Sequence, residues 1–461
     1  MKKIITIILV AVVCTIGCGR DNADTPGDRP VIEQVFQEVP YEEFTNESFD
    51  YEVPEMLPGV LADRIGYTVS EDKCIYFLGD SLPDTFNLVS VSDNEVKYTG
   101  TIGEAVDIDG RYYCEGSITE YDVPGRYYIV TDKIGQSYPF IIGEDIYRDK
   151  LNEYIGLYDT TEGVMWPVVS KTNSTRIASA AVLNLLMAYE LEPEKFPLNE
   201  DGEPMILQNI RYELEALQYK LDNGTIEDIM SEAFFASAMA AFSGIYKDYD
   251  LEFADTCLYR AENYYKDLQE AYNNGNLHSQ YFLMLNAYLY RTTGKNSYKT
   301  VTENLLTGIT ESGNYEDYAY NPLYKGIYAY LNTSKTPNID ISFEVMNHLL
   351  QRAEDISSDT ALGRVGLCDE EYLIIADTGN EGDEAYQSYS SLLENMWIMT
   401  YVNSVITNRE YRTVIEEHMH YINGRNVTGE IMEPQDNEDY LYNISMLVLI
   451  YSGIDKRYTT P

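Results

Sequence analysis

Apolar residues recur at helical spacing through most of the chain after about residue 175. The first such segment follows Ser174 and places Ile177, Ala181 and Leu185 on one face. Consecutive helices joined by short polar links run antiparallel, so a series of helical hairpins is predicted, closed into a toroid or stacked as an open solenoid. The eleven predicted helices cover residues 175–189, 206–221, 233–246, 251–268, 279–290, 298–306, 318–331, 341–353, 388–405, 412–422 and 436–450.

Residues 51–148 have a different pattern. Short runs rich in β-branched and aromatic residues alternate with Gly, Asp, Asn and Pro, which is typical of several short strands. About 100 residues of this kind predict a β-sandwich. The predicted strands include residues 74–78, 86–91, 95–98, 126–131 and 138–142. The pattern therefore predicts a sandwich domain over 51–148 and a helical domain over 149–461.

The first 17 residues have the pattern of a secretion signal. Lys2 and Lys3 precede an apolar run over 4–13, and Gly17 lies directly before Cys18. This resembles a bacterial lipoprotein signal with Cys18 as the lipidated first residue, although Thr15 stands where Leu is usual. The alternative is an uncleaved anchor, but the run is short against the roughly 20 residues of a spanning helix. We therefore expect an exported protein, lipid-anchored at the cell envelope.

Acidic residues and prolines characterise residues 18–50, which are predicted to form a tether between the anchor and the folded domains. The whole chain carries a formal charge of −44, from 76 acidic and 32 basic residues. Such a field repels phosphate backbones and excludes nucleic acid as a partner. A neutral or cationic partner fits better, and the simplest interpretation of the charge is a highly solvated extracellular surface.

The chain has 43 Tyr and only 2 Trp. Tyrosine rings pack in cores, and exposed rings can also stack against the apolar face of a sugar. Among the cysteines, Cys74 and Cys114 lie in the same predicted domain, where they either pair or stay free thiols. No Cys-x-x-Cys pair occurs, so neither a zinc site nor any other cofactor is predicted.

Nine stretches, taken in order, are similar to segments of one enzyme family: residues 62–67 (ADRIGY), 124–129, 137–140, 145–147, 181–190, 209–217, 245–249, 290–294 and 421–426 (YINGRN). The chain thus resembles the family 9 glycoside hydrolases, the cellulase-type enzymes. The resemblance implies an immunoglobulin-like sandwich followed by an (α/α)6 barrel. It also implies a β-linked polysaccharide partner, cellulose or a related β-glucan. The family contains structural calcium sites, but no loop here has a recognisable ligand spacing.

Inverting glycoside hydrolysis needs two carboxyl groups about 6.5–9.5 Å apart, one as acid and one to activate water. In the family, the acid is a Glu that follows Asn near the start of the last barrel helix. Asn437 and Glu438 take that place, which implies Glu438 as general acid and Asn437 as a substrate contact. From the residues alone, Asp436, Asn437 and Glu438 are also typical of a helix N-cap.

The family's water-activating aspartates follow a Trp, and Trp166 takes the place of that residue, which implies that Trp166 contacts substrate. The two aspartate positions are occupied by Pro167 or Val168, and by Ser170 or Lys171. None of these side chains is a carboxylate, so the family's base is absent from the sequence.

Asp159 and Glu162 are the remaining candidates for a displaced base. The family's substrate-binding His and Arg loop is also missing, and His278 and His348 are interpreted as isolated surface or packing residues. Three hypotheses follow: a sugar-binding protein with weakened or lost hydrolysis, an active divergent endo-β-1,4-glucanase-like enzyme that uses Glu438, and a protein-interaction scaffold. The missing base and the missing loop favour the first.

Overall fold

The computed structural model describes residues 59–108, 111–166, 174–224, 228–362, 383–426, 429–434 and 437–454. The predicted signal peptide, Cys18 and the tether lie outside the described residues. Within them, strands occupy the first part of the chain and helices the remainder, and the last strand ends at Gly143, four residues before the first helix.

Nine strands form two facing sheets. One sheet has the order β1-β3-β7-β6 and the other the order β2-β9-β8-β4-β5. The inner faces bury Ile75 and Phe77 from the first sheet, with Phe86, Ile129 and Ile142 from the second. The strands are β1 Val60–Leu61, β2 Gly66–Thr68, β3 Cys74–Gly79, β4 Thr85–Ser90, β5 Val96–Thr101, β6 Val106–Ile108, β7 Arg111–Ser117, β8 Gly125–Val130 and β9 Phe140–Gly143. All pairings are antiparallel except β2 with β9.

Twelve α-helices follow among the described residues. They are α1 Arg148–Gly156, α2 Thr175–Leu191, α3 Met205–Asp222, α4 Ile229–Tyr246, α5 Leu251–Asn273, α6 Ser279–Thr293, α7 Asn296–Ser312, α8 Pro322–Leu331, α9 Ile339–Leu362, α10 Asp383–Val405, α11 Arg409–Ile422 and α12 Tyr440–Ile454. The eleven predicted segments correspond to α2 to α12. The short helix α1 was not predicted.

The even-numbered helices form an inner ring and the odd-numbered helices lie outside it. Helix α4 packs on α2 and α6, α6 packs on α8, and α12 closes the ring between α10 and α2. Each outer helix packs on an inner one, as α5 does on α4 and α11 does on α10. The predicted sandwich followed by an (α/α)6 barrel is therefore confirmed.

Inner helices are apolar because neighbours cover every side of them. Helix α4 is long and apolar enough to cross a membrane by composition, yet most of its residues are buried inside the barrel. It is the only such helix among the described residues. Its apolar character follows from its central place in the ring.

The predicted helix starts differ from the structure by up to five residues, and the difference at α8 has a clear physical cause. Helix α8 begins at Pro322, not at residue 318, because Tyr320 and Asn321 have φ of 70° and 55°, outside the helical region. Asp317 caps the helix from the preceding turn by accepting the backbone N–H groups of Leu323 and Tyr324 at 2.9 and 3.3 Å.

Cys74 and Cys114 are free thiols rather than a disulfide. In the ladder between β3 and β7, Cys74 lies opposite Ser117, and Cys114 lies opposite Phe77. The Cys74 thiol donates to the Glu115 carboxylate at 3.0 Å. The sequence left open whether these two cysteines form a disulfide, and in the structure they do not.

The sandwich docks on the barrel through buried polar side chains. Asp63 accepts the His420 Nδ1–H at 2.8 Å and the Asn423 side-chain amide at 3.0 Å. The backbone N–H of Arg64 donates to the Asn423 carbonyl at 2.9 Å. His420 Nε2 lies 3.8 Å from the fully buried Glu71 carboxylate of the sandwich. The two stretches 62–67 and 421–426 therefore meet at this joint.

Tyrosine hydroxyls bind carboxylates at many places in the barrel. Seven tyrosines donate to an acidic side chain among the described residues: Tyr154 to Glu433, Tyr246 to Glu203, Tyr298 to Glu262, Tyr320 to Asp439, Tyr328 to Glu190, Tyr330 to Glu303 and Tyr411 to Glu354. Most of these pairs join different helices or turns. Tyrosines and acidic residues, both abundant in the chain, are therefore partners in hydrogen bonds that hold the barrel together.

The joint is expected to make stability depend on pH through Glu71. Burial raises the pKa of Glu71 well above its ordinary value, and the Glu416 carboxylate raises it further. The folded protein then keeps a proton that the unfolded chain has released, so this stabilisation is complete below about pH 4.3 and is lost as the pH rises through the folded pKa. In Glu71→Gln, the fall in melting temperature between pH 5 and pH 8 should shrink by a few degrees.

Glu104→Gln is the matched control, because Glu104 is an exposed carboxylate of the same domain. It should leave the pH dependence of the melting temperature unchanged. Equal pH dependence in wild type and Glu71→Gln would show that Glu71 does not titrate differently on folding.

Candidate functional site

The inner helices run parallel, so their N-terminal ends meet at one end of the barrel. Arg176 at the start of α2 pairs with Asp228, the N-cap residue of α4. Phe234 near the start of α4 packs edge-on against Tyr281 near the start of α6, at 5.8 Å between ring centres. We call this end the opening face. It comprises the starts of the six inner helices and the turns that lead into them.

Glu438 lies on the opening face, exposed, two residues before α12 begins. Asn437 precedes it, and its side-chain oxygen accepts the backbone N–H of Asp439 at 3.0 Å. The predicted cap thus forms a local turn ahead of the helix, and Glu438 is exposed at the start of the last inner helix. Its role as general acid and the role of Asn437 as a substrate contact stay predictions.

Asp159 and Glu162 lie in the segment between α1 and α2, and both are exposed. The Asp159 carboxylate accepts the side-chain amide of Asn209, on the outer helix α3, at 2.9 Å. The segment is also tied to α12, because the Tyr158 hydroxyl donates to the Leu441 carbonyl. The structure thus brings this segment next to the last inner helix, while Asp159 itself is held towards the outer layer.

Trp166 is buried, with 1% of its surface exposed. Its ring packs edge-on against Tyr158 at 4.7 Å, and its backbone N–H donates to Glu213 at 2.6 Å. Burial raises the pKa of Glu213 to about 7. A ring in this position supports the turn, so the predicted sugar contact of Trp166 would need the ring to become accessible. The positions that replace the family's aspartates, residues 167, 168, 170 and 171, lie outside the described residues.

A row of aromatic rings lines the opening face next to Glu438. His278 stacks on Tyr318 with 4.6 Å between ring centres, and Tyr281 lies 5.7 Å from Tyr318. Tyr320 packs edge-on against Tyr442 of α12 at 4.9 Å. The sequence analysis missed this row and interpreted His278 as isolated. The signal for it was the cluster of tyrosines at 315, 318 and 320 in the turn before α8.

Carboxyl groups outnumber cations around these rings. The Tyr320 hydroxyl donates to Asp439 at 2.6 Å, and the Asp439 and Glu438 carboxylates contribute, after burial, to raising the pKa of Tyr320. Burial raises the pKa of Asp317 to about 6 and that of Glu394, on α10, to about 7. The exposed carboxylate of Glu438 offers sugar hydroxyls a hydrogen-bond acceptor at this face.

No group of three His, Cys, Asp or Glu side chains in the described ranges is arranged to hold a metal ion.

Comparison with known proteins gives one family. Residues 218–433 match the model for glycosyl hydrolase family 9. No curated protein sequence matches the chain.

Several solved structures share the fold of this protein over most of its length. A metagenome-derived glycoside hydrolase family 9 endoglucanase is similar with a TM-score of 0.67 and 16% identity, covering 86% of this chain and 99% of that chain. AaCel9A in complex with cellobiose-like isofagomine has a TM-score of 0.68 and 16% identity, covering 87% and 100%. Bacteroides ovatus GH9 has a TM-score of 0.67 and 12% identity, covering 86% and 98%.

The matched segment 218–433 runs from the end of α3 to the turn before α12. It excludes both Glu438 and residues 167–171, so the match rests on the barrel scaffold rather than on the two catalytic positions. The low identities agree with a chain that has diverged far from those enzymes. The chain is thus similar to glycosyl hydrolase family 9 over residues 218–433, and it shares the fold of the solved family 9 enzymes.

Proposed function

We propose that this protein binds a β-linked glucan, cellulose or a related chain, at the opening face, with hydrolysis weakened or lost. One observation carries the proposal. Glu438 is exposed beside a row of aromatic rings at the starts of the inner helices, but the stretch that replaces the family's aspartates contains no carboxylate. AaCel9A, which shares the fold, was solved with a cellobiose-like ligand.

Sugar binding needs flat apolar surfaces and polar groups at their edges. The stacked pair of His278 and Tyr318 offers such a surface, and Tyr320 adds a ring whose hydroxyl is held by Asp439. A neutral glucan is not repelled by the acidic charge of the chain. These features support binding without requiring that the bond between sugars be cut.

Hydrolysis requires a second carboxylate that activates water opposite the acid. Asp159 accepts a hydrogen bond from the outer helix α3, and Glu162 is fully exposed in a turn. The alternative function, an active divergent endo-β-1,4-glucanase-like hydrolase with Glu438 as acid, is favoured by one observation. Glu394 has a pKa raised to about 7 by burial, and Asp439 beside Glu438 adds to that rise.

We further propose that the protein is exported and lipid-anchored through Cys18. The support is the sequence alone, with Lys2 and Lys3 before the apolar run and Gly17 before Cys18. The acidic tether over 18–50 would then hold the barrel away from the membrane surface.

The anchor can be tested in the expressing cell. Cys18→Ser should move the protein from the membrane fraction to the soluble fraction and abolish incorporation of a labelled fatty acid. Cys14→Ser changes the other cysteine of the N-terminal segment and should leave both results unchanged. Fractionation of Cys18→Ser with membranes would contradict lipidation at this residue.

The mature protein is expected to release no measurable reducing ends from soluble β-1,4-glucan, because one carboxyl acid without a base gives little catalysis. Wild type and Glu438→Gln should therefore give the same background in a reducing-sugar assay. Release by wild type that disappears in Glu438→Gln would instead establish the active alternative.

Binding should be visible as retardation in gels that contain β-glucan or xylan. Tyr318→Ala removes a half-buried ring that stacks on His278 and should weaken binding about 10-fold, which corresponds to about 1.4 kcal/mol. Tyr259→Ala is the control, because Tyr259 is 64% exposed on the outer helix α5. Retardation that is equal in wild type and Tyr318→Ala would place the site elsewhere, and no retardation with any glycan would favour a protein-interaction scaffold.

A further inference from the structure

Lys325 is a buried lysine in the first turn of the inner helix α8, with 1% of its surface exposed. Its ammonium group donates to the Tyr320 carbonyl at 2.9 Å and to the Tyr442 hydroxyl at 3.4 Å. It also lies 5.2 Å from the Trp397 ring and 5.0 Å from the Tyr442 ring. Burying an ammonium group is costly, and an apolar side chain would pack in the same ring of helices. The position therefore calls for a role beyond packing.

The carbonyl that Lys325 holds belongs to a strained turn. Tyr320 and Asn321 are consecutive non-glycine residues with φ of 70° and 55°, in the left-handed region that side chains disfavour. Asp317 grips the same turn from the other side by accepting the backbone N–H of Tyr318 at 2.8 Å and that of Leu323 at 2.9 Å. Strain of this kind persists only where surrounding contacts hold it, and here the contacts are Lys325 and Asp317.

The strained turn reaches across the opening face to the last inner helix. The Tyr320 hydroxyl donates to Asp439 at 2.6 Å, and its ring packs against Tyr442. Asp439 directly follows Glu438, and its carbonyl accepts the first-turn N–H of Asn443 at 2.9 Å. A continuous chain of contacts thus joins Lys325 to the start of α12.

We propose that Lys325 is a positioning residue, which fixes Glu438 on the opening face by holding the Tyr320 turn against Asp439. This inference rests on the proposed glycan binding for its functional meaning. The contacts that link Lys325 on α8 through Tyr320 to Asp439 at the start of α12 do not depend on that function.

The chain of contacts that joins Lys325 to the start of α12 should respond to pH near neutrality. Burial lowers the pKa of Lys325 to about 7, although Asp317 and Glu394 favour its charged form. Below pH 7 the side chain is an ammonium that donates to the Tyr320 carbonyl, and as the pH rises through 7 that charge is lost. The charged and titratable groups that surround this link are Asp317 before α8, Glu394 on α10, Glu438, Asp439 and Tyr442 at α12, Tyr320 in the turn, and Arg176 at α2.

The first test needs no ligand. Hydrogen exchange of the mature protein at pH 6 would compare wild type with Lys325→Met in peptides covering 313–325 and 437–447. Both peptides should exchange at least about 10-fold faster in the variant, while the sandwich is unchanged. Lys299→Met is the matched control, because Lys299 donates to the Thr336 carbonyl at 2.7 Å, away from the opening face. Unchanged exchange of 437–447 in Lys325→Met would overturn the proposal.

The second test measures the affinity for cellohexaose at pH 6 and pH 8. Wild type and Lys299→Met should bind several-fold more weakly at pH 8, whereas Lys325→Met and Tyr320→Phe should bind weakly at both values. Because Asp317 and Glu394 also titrate near neutrality, the pH step should shrink in Lys325→Met, and a step of unchanged size would contradict the positioning role. If cellohexaose binds at neither pH while exchange of 437–447 still depends on Lys325, the glycan proposal fails and the positioning of α12 stands.

Discussion

The ring of six inner helices sets the constraint on which the other features depend. Most sides of such a helix contact protein, so most of its length is apolar, as in α4 and α12, whose residues are mostly buried. Polar groups are then confined to the helix ends. Because the six helices run parallel, their N-terminal ends, each carrying partial positive charge, gather at one face. Carboxylates such as Asp228 and Asp317 meet those ends, and the acid-rich opening face follows from the topology of the ring.

The sandwich is attached to the barrel by apolar contacts, since Leu61 and Leu78 belong to the hydrophobic core of the barrel, and by buried polar contacts. The Asp63 carboxylate accepts hydrogen bonds from the backbone N–H groups of Ile65 and Gly66 and from His420 and Asn423 of the barrel. Two of the nine stretches by which the sequence resembles the family, 62–67 and 421–426, thus contact each other where the two domains meet. Part of what makes the sequence recognisable is how its domains meet, and that part is independent of whether the opening face performs chemistry.

Sequence periodicity predicted the architecture well because both kinds of element repeat their pattern. The helices α2 to α12 were found from apolar spacing, and the strands β3, β4, β5, β8 and β9 from short runs of β-branched and aromatic residues. Helix α1 was missed because it is short and contains few apolar residues. The start of α8 was misplaced because the tyrosines at 318 and 320 continue the apolar pattern into a turn whose backbone is left-handed. The spacing of apolar residues along the chain does not reveal the side-chain contacts that hold such a turn.

Only those residues of the candidate site were predicted that can be recognised from their position along the chain. The position of Glu438 before the last helix came from the resemblance, and the structure places it exposed at that helix start. His278 and Tyr318 are forty residues apart and meet through the packing of α6 and α8, which no spacing in the sequence indicates. Lys325, a lone cation in an apolar segment, would be taken for an exposed position, yet it lies at the centre of the ring.

The pairing of tyrosine hydroxyls with carboxylates has a consequence for how this protein responds to its surroundings. A hydroxyl satisfies a carboxylate without cancelling its charge, so the barrel is held together while remaining strongly anionic. Dissolved salt screens repulsion between like charges and does little to a hydrogen bond with a neutral donor. Rising ionic strength should therefore weaken the repulsion between the carboxylates of the barrel while it leaves these hydrogen bonds in place.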